Sequence, residues 1–501
     1  MTRSGDQYIE GLRDGRNVFI DGERVVDVTR HPAFRGSVES VARIFDLAHD
    51  PANQDVMTFT SPTSGEPVNR SWAQPRSEAD LTARRIALKK SSETTFGLMG
   101  RSPEHVAGFA AGRQVFAEGS KELADNLVRF YEKARDEDQY VTYVIAPPQI
   151  DRSKPAHQQA DPYLYAGVKE ERDDGIVVAG AQMLGTGAAI SDWVFLSCIT
   201  PLVPGDEAYA LSAVIPLSAP GLRVYSRRSY AEGATSVFDY PLSSSFDETD
   251  SLVVFDDVFI PWEHVFAYRN LEVVRNQWTK TAAHVLGNNQ AQIRFWTKLQ
   301  FLAGLALRVA KMNGSERLPP VKGALGEISA YAAMVGGLVL AQEQDCRIDD
   351  DGLAWPAPAP CFANMTLQSQ IYPKLLHMVR DLCGGGLIQL PSGANDYANP
   401  EIARDLERYV QSPGFPSVER VKLLKLVWDM VGSEFASRHH QYEMFYAGAP
   451  FLVKMRMFDN FDFGAADDLV AQALASYDLS GRHGVRVDGA GAPLQAPAAG
   501  L

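Results

Sequence analysis

No two cysteines in this 501-residue chain lie at a spacing that holds a metal or runs a dithiol cycle. Cys198, Cys346, Cys361 and Cys383 are far apart, and no Cys-x-x-Cys occurs. They read as free or buried thiols of a reducing compartment, without structural disulfides. No Gly-x-Gly-x-x-Gly follows a strand-like run, and Gly185-Thr186-Gly187-Ala188-Ala189 departs from that spacing. A Rossmann site with tightly held NAD(P)H is therefore unsupported. P-loop, His-Glu-x-x-His and Gly-x-Ser-x-Gly motifs are missing too, so a metal or serine-hydrolase reading has little to stand on. The start, Met1-Thr2-Arg3-Ser4-Gly5-Asp6, lacks the apolar core of a signal peptide. No run of about 18 apolar residues is found, so a membrane span is not expected and the chain reads as cytoplasmic. Positive charge is in deficit. With 48 Lys and Arg against 62 Asp and Glu, the net charge of −14 argues against nucleic acid or an anionic membrane as partner.

What is present is an ordinary soluble composition. Hydrophobic residues make up 45% and charged residues 22% of the chain, enough for large cores, and the length fits two to four domains. Up to about residue 145 the pattern is mainly helical, over residues 38–47, 78–94 and 104–131. Ser102-Pro103 reads as the N-cap and first position of the last of these. From about 160 to 270, short runs such as Ile176-Val177-Val178 and Leu252-Val253-Val254-Phe255 are separated by Gly, Pro and Asp. That is the texture of a small β-barrel or sandwich. Beyond about 275, Ile293, Trp296, Leu299, Leu302, Leu305 and Val309 mark one face of a long helix. Similar stripes at 325–340, 365–382 and 418–435 predict a four-helix bundle. The last twenty or so residues, rich in Gly, Ala and Pro, read as a flexible tail. The class is α+β, divided into an N-terminal α-helical domain (1–148), a central β-barrel domain (149–272), a C-terminal helical bundle (273–480) and a tail (481–501).

Three phrases carry the functional reading. Pro147-Pro148-Gln149-Ile150-Asp151-Arg152-Ser153 is a fixed loop, because its two prolines block both helix and central strand. Gly100-Arg101-Ser102-Pro103-Glu104-His105 lies upstream, and Arg438-His439-His440-Gln441-Tyr442-Glu443 lies near the C-terminus. Together they resemble the oxygenase component of two-component, reduced-flavin-dependent phenol monooxygenases, the 4-hydroxyphenylacetate 3-hydroxylase and chlorophenol monooxygenase family. The resemblance runs from Gln7-Tyr8 to about Asp478. It implies an acyl-CoA dehydrogenase-like fold, usually assembled as a homotetramer. It also implies FAD used as FADH2, with FMNH2 as the alternative, O2, and a separate NAD(P)H:flavin reductase that supplies reduced flavin by diffusion. The implied reaction hydroxylates a phenolic ring ortho or para to its oxygen through a flavin C4a-hydroperoxide, with loss of halide or nitro where the attacked carbon bears one. The substrate is a small aromatic or an aromatic tethered to a carrier.

The resemblance also distributes roles. Gln149, Ile150, Asp151 and Arg152 match a flavin-contacting stretch. An amide suits the edge of the flavin ring, and a guanidinium balances anionic flavin or phosphate; a rigid crossover with an internal Asp–Arg pair is the plain alternative. Thr186 and Gly187 match a threonine–glycine element beside the flavin, although such glycines often simply make turns. Cys198 and Ile199 match a substrate-pocket position, and equally fit a strand end. Arg101 matches the arginine that faces the phenolic oxygen. Phenol has a pKa near 10, so forming phenolate at pH 7 takes about 4 kcal/mol of differential stabilisation, part of which a buried guanidinium supplies. Gln158 and Arg438 match substrate-pocket positions of the halophenol branch; a cation near a helix end also complements the dipole.

Three departures stand out. His105 occupies a tyrosine position of the 4-hydroxyphenylacetate hydroxylases, and Tyr143 a histidine position. Gln290 stands where halophenol and nitrophenol members carry a histidine. Glutamine is no base, so His105 or His284 replaces it, Arg101 with Tyr143 suffices, or the substrate is more acidic than phenol. The resulting assignment takes Arg101, His105 and Tyr143 as catalytic, with Gln158, Cys198, Ile199, Gln290 and Arg438 also lining the substrate, and no metal. An iron–sulfur dehydratase relative, an acyl-CoA dehydrogenase-like flavoenzyme with a glutamate base, and a non-catalytic flavin-binding scaffold are the rival readings.

Overall fold

The computed structural model describes residues 1–103, 107–446 and 448–476. Its centre is a pair of β-sheets. The strands are β1 (Val18–Ile20), β2 (Glu23–Val25), β3 (Val141–Val144), β4 (Gly167–Arg172), β5 (Gly175–Gln182), β6 (Trp193–Leu196), β7 (Leu211–Pro216), β8 (Leu222–Ser226), β9 (Ser251–Pro261) and β10 (Val265–Tyr268). The larger sheet has the order β2-β1-β8-β9-β5-β4 and the smaller the order β10-β7-β6-β3. All pairs are antiparallel except β1 with β8 and β3 with β6.

The N-terminal third contributes strands to both sheets, which its mainly helical pattern did not announce. β1 and β2 form a hairpin through Asp21 and Gly22, both at positive φ (49° and 80°). Asp-Gly is the pair that a tight primed turn requires. The β-branched run Val141-Thr142-Tyr143-Val144 pairs in parallel with β6, setting Tyr143 opposite Phe195.

The long N-terminal helices are α1 (Pro32–His49), α2 (Glu78–Glu93) and α3 (Lys121–Asp136). The helix expected over 104–131 is not one element. Residues 107–112 form a 3-10 turn, and α3 begins only after Ser120, whose hydroxyl accepts from the Leu123 amide at 3.3 Å. Close packing explains the break, since a Cβ on Gly112 would sit 2.2 Å from Thr281 Cγ2. Ser102 is thus no N-cap of a long helix, and His105 lies outside the described residues.

Later helices include α4 (Ser243–Phe246), α5 (Leu271–Thr279), α6 (Ala283–Met312), α7 (Pro319–Gln344), α8 (Pro358–Cys383), α9 (Ser417–Val431), α10 (Glu434–Phe445), α11 (Pro450–Asp459) and α12 (Phe463–Ala475). The α6 stripe of Ile293, Leu299, Leu302, Leu305 and Val309 is buried against α7, α8 and α9. By length and composition α7 could cross a membrane, yet it packs along α6 and α8. The stripe expected at 418–435 breaks at Gly432-Ser433. The Ser433 hydroxyl accepts from the Ala436 amide at 3.1 Å and starts α10 afresh, which lets α10 turn the Arg438–Glu443 phrase toward the sheets.

Candidate active site

Leu98 to Arg101 form an irregular stretch clamped at both ends. Arg294 of α6 donates to the Gly97 carbonyl at 2.8 Å, and Glu248 accepts from the amides of Gly100 (2.8 Å) and Arg101 (3.2 Å). Gly97 has φ +69°, and a Cβ there would lie 2.5 Å from the Arg294 carbonyl oxygen, so the crossing needs glycine.

The Arg101 side chain is 4% exposed. Its guanidinium lies 4.4 Å from the Tyr143 ring centre and 5.5 Å from that of Tyr446. Nε and Nη1 have no hydrogen-bond partner among the described residues. Burial works against its charge, but the oxygens of Tyr143, Tyr442 and Tyr446 and the Glu248 carboxylate outweigh it and keep Arg101 cationic. A desolvated cation with open donors is a receptor for an anionic or strongly accepting oxygen.

Behind Arg101, α10 presents Arg438, His439, Tyr442 and Glu443 on one face. Arg438 donates to both carboxylate oxygens of Asp250 (2.6 and 2.9 Å) and approaches Glu248 at 3.5 Å. Arg227 joins Asp250 and Asp247. Deeper, Glu443 takes a two-pronged pair from Arg294, a bond from Lys298 and one from Gln368 at 2.7 Å. Burial opposes the Glu443 charge, but Arg294 and Lys298 hold its pKa down at about 2. Burial brings Lys298 down to about 8, against the pull of Glu443. Among the described residues of this cluster, five cations (Arg101, Arg227, Arg294, Lys298, Arg438) face four carboxylates (Asp247, Glu248, Asp250, Glu443). The positive surplus coincides with the one guanidinium that has no carboxylate on it.

The threonine–glycine element closes the ring from the sheet side. The Thr186 hydroxyl donates to Asp250 at 2.7 Å, the Gly187 amide donates to the Glu248 carbonyl at 2.9 Å, and Thr142, beside Tyr143, donates to the Thr186 carbonyl at 2.8 Å. The Thr186 amide is used within its own turn, toward Leu184. Both residues are buried and committed internally, so any contact with a cofactor falls to the second acceptor site of the Thr186 hydroxyl.

The proline loop opens toward solvent beside this ring. Met183 donates to the Ala146 carbonyl (2.8 Å) and Ile199 to the Ile145 carbonyl (2.9 Å), which lays the ends of β3, β5 and β6 side by side. Their tips carry the exposed apolar residues Ile150, Leu184 and Ile199, with Leu184 in the left-handed region at φ 61°. Gln149 and Arg152 are exposed along the same rim. Asp151 accepts from Ser153 and pairs with Lys154 at 3.4 Å, rather than forming the internal pair with Arg152. Buried Gln159 fastens the loop by donating to the carbonyls of Asp151 and Lys154, leaving its own Oε1 without a partner. An apolar floor with an amide and a guanidinium at its edge fits a flavin ring with an anionic edge.

The other expected residues fall as follows. Gln290 donates to the Ser102 hydroxyl at 3.0 Å, next to Arg101, and its buried Oε1 has no partner among the described residues. Cys198 is buried and its thiol is pushed up to about 12 by burial, so it is no nucleophile at neutral pH. Gln158 is exposed and contacts His157, whose Nδ1 meets Asp206 at 2.8 Å. Arg438 is linked to Arg101 through Glu248 and through the Tyr442 ring, 4.7 Å from its guanidinium. His284 packs against Arg456 of α11 and the Phe362 ring of α8; burial first, then Arg456, lowers its pKa to about 3. Glu248, Asp250, Tyr446, Arg294 and Lys298 escaped the sequence reading. A visible cue was present for some, since Arg294 and Lys298 interrupt the most apolar part of α6.

Comparison with known proteins gives a consistent set of matches. The model for the 4-hydroxyphenylacetate 3-hydroxylase N-terminal region matches residues 4–267, and that for the C-terminal region matches 274–475. The oxygenase component of 4-nitrophenol 2-monooxygenase from Rhodococcus sp. is 36% identical over 487 residues, covering 95% of this chain and 93% of its own. A Streptomyces globisporus monooxygenase of a carrier-protein-bound 3-amino-3-(3-chloro-4-hydroxyphenyl)propanoyl group is 36% identical over 458 residues, covering 89% and 85%. The crystal structure of the oxygenase component of 4-hydroxyphenylacetate 3-monooxygenase with FAD and 4-hydroxyphenylacetate superposes with a TM-score of 0.89 at 32% identity, covering 94% of this chain and 98% of that one.

Proposed function

Because this chain belongs to the 4-hydroxyphenylacetate 3-hydroxylase family, as the FAD-dependent oxygenase component of an aromatic monooxygenase that works with a partner reductase, we propose that it hydroxylates a phenol whose oxygen rests on Arg101. The observation that carries this is the buried Arg101 guanidinium, with Nε and Nη1 open and no carboxylate of the cluster bound to it. A phenol oxygen supplies the missing acceptor, and the surplus positive charge favours its ionised form.

The surrounding residues have separate tasks. The Tyr143 face holds the guanidinium plane, and the unpartnered Gln290 Oε1 is placed to accept from a hydroxyl on the ring. Ile150, Leu184 and Ile199 give an apolar floor for the flavin, which Gln149 and Arg152 meet at its edge. Reduced FAD, when bound there, supplies the activated oxygen. The protein's share is to strip water from the ring, to hold the oxygen ionised, and to direct the carbon ortho or para to it. Where that carbon bears halide or nitro, the same addition expels it. Both a free phenol and a carrier-tethered one meet Arg101 in the same way.

Solvent access at the proline loop suits flavin that arrives by diffusion from an NAD(P)H-dependent reductase in the cytoplasm. Exposed Phe451, Phe458, Phe463 and Leu469 on α11 and α12, with Met334 and Leu340 on α7, make an apolar surface that other copies of the chain cover in a homotetramer. To test the reading, the protein is supplied with FAD, NADH and a flavin reductase under isotopically labelled O2, together with a panel of phenols. One labelled hydroxyl in a product supports it. Flavin oxidation that yields hydrogen peroxide with every phenol, and no labelled product, contradicts it.

A further inference from the structure

We propose that Glu248, held in place by Arg438, is a positioning residue that fixes the Arg101 main chain and sets how much of the Arg101 charge a bound phenol oxygen feels. The inference rests on the phenol reading above. Glu248 is 1% exposed, and its carboxylate accepts the two successive amides of Gly100 and Arg101. It therefore orients the backbone from which the catalytic side chain departs, while leaving the guanidinium itself open. Its own carbonyl accepts from Gly187, tying the same turn to the flavin side.

The turn that carries Glu248 is constrained from three directions. Asp429 of α9 accepts from the amides of Leu242 and Ser243 at 2.8 and 2.7 Å and so anchors α4, which ends at Phe246. Asp247 is held by Arg227, and Asp250 by Arg438. Thr249 sits at φ 25°, a conformation that costs energy in a residue with a branched Cβ and persists where its surroundings demand it.

Electrostatically, Glu248 and Arg438 act in opposite senses on the same centre. The carboxylate offsets part of the Arg101 field, and Arg438, 3.5 Å from it, offsets the carboxylate. Among the described residues, the other ionisable groups facing Arg101 are Tyr143 of β3 and Tyr442 and Tyr446 at the end of α10. Burial raises the pKa of Tyr442 and Tyr446 and keeps both neutral, and the Glu248–Arg438 pair is the adjustable charge.

The test follows the visible band of 4-nitrophenolate on the full-length protein, anaerobic and loaded with reduced FAD, through a pH series. It yields the apparent pKa of the bound ligand. In Glu248→Gln, an acceptor oxygen stays but the charge goes, and the bound pKa is expected to fall by about half to one unit. In Arg438→Gln, it is expected to rise by a similar amount. Glu248→Asp, which keeps the charge, returns it toward the wild-type value. General damage to the site would move both glutamine variants toward the value of free 4-nitrophenol, and that result, or no shift in either, overturns the inference. Arg101→Ala runs alongside. If it leaves the bound pKa at the wild-type value, the phenol reading itself fails. If it raises the pKa while the Glu248 and Arg438 variants do nothing, only the present inference fails.

Discussion

Arg294 and Glu443 meet through two parallel hydrogen bonds of 2.7 and 2.9 Å, with their side chains 1% and 0% exposed. Lys298 shares the same carboxylate from one turn further along α6. This pair joins α6 to α10 at the level where Arg294 also holds the Gly97 carbonyl. A bidentate guanidinium–carboxylate contact has a fixed plane, so it sets the rotation of α10 and, with it, the position of Tyr442 and Tyr446 beside Arg101.

Removing the carboxylate should be costly. Glu443→Ala leaves two buried cations without their carboxylate, and a loss of about 3–5 kcal/mol is expected, read as a lower midpoint in urea unfolding. The pH dependence has a definite sign. The Glu443 pKa lies below its ordinary 4.5 in the folded protein, so its stabilising contribution is complete above pH 4.5 and drains away as pH falls toward about 2. Glu443→Gln, already weakened at neutral pH, should lose less further stability across that window than the wild type.

Two glycines make a paired prediction. A Cβ on Gly100 would lie 2.2 Å from the Tyr442 hydroxyl oxygen and 2.6 Å from Cζ, whereas one on Gly287 of α6 meets nothing within 4 Å. Gly100→Ala should cost about 1–3 kcal/mol by overpacking and depress hydroxylation by moving Arg101. Gly287→Ala should stabilise by about 0.5–1 kcal/mol, through helix propensity, with normal turnover. Thermal melts and product assays on both variants check this.

His284 carries the opposite expectation. Held near pKa 3 by burial and by Arg456, it is neutral from pH 5 to 8 and contributes no titration there. The pH–rate profile of His284→Gln should superimpose on the wild type, once folding is verified by circular dichroism. A displaced acid limb would bring His284 back as a proton-transfer group.

The helical layout was legible where periodicity had a single cause. The α6 stripe from Ile293 to Val309 is buried because one face of a 3.6-residue period meets the bundle. Helix ends were harder. Residues 104–131 lack strong breakers, yet the glycines at 108 and 112 serve close packing against Ala283 and Thr281, a tertiary demand with no local signature. The Asp21-Gly22 turn was a readable hairpin signal between two runs too short to attract notice. At the site, the Arg101 and Arg438 phrases stood out as polar phrases, but their meeting depends on Glu248. That residue lies in Asp247-Glu248-Thr249-Asp250, an acidic run that looks like a solvated turn until its partners from α6, α10 and the sheets are seen. The family resemblance matched Gln290 to a substrate-pocket position, and Gln290 on α6 meets Ser102, next to Arg101; His284, six residues earlier and off that helical face, meets Arg456 instead.

The central claim is that Arg101 holds the phenol oxygen in its reactive, ionised form. A single-turnover experiment tests it directly: wild type and Arg101→Ala, each loaded anaerobically with reduced FAD and mixed with O2 and a phenol that the wild type accepts. The account predicts that the variant binds FAD as tightly as the wild type but forms product about 10- to 100-fold more slowly, the loss expected for a charge-assisted hydrogen bond, with most of the oxygen leaving as hydrogen peroxide. Product formed at the wild-type rate and yield by Arg101→Ala would contradict it.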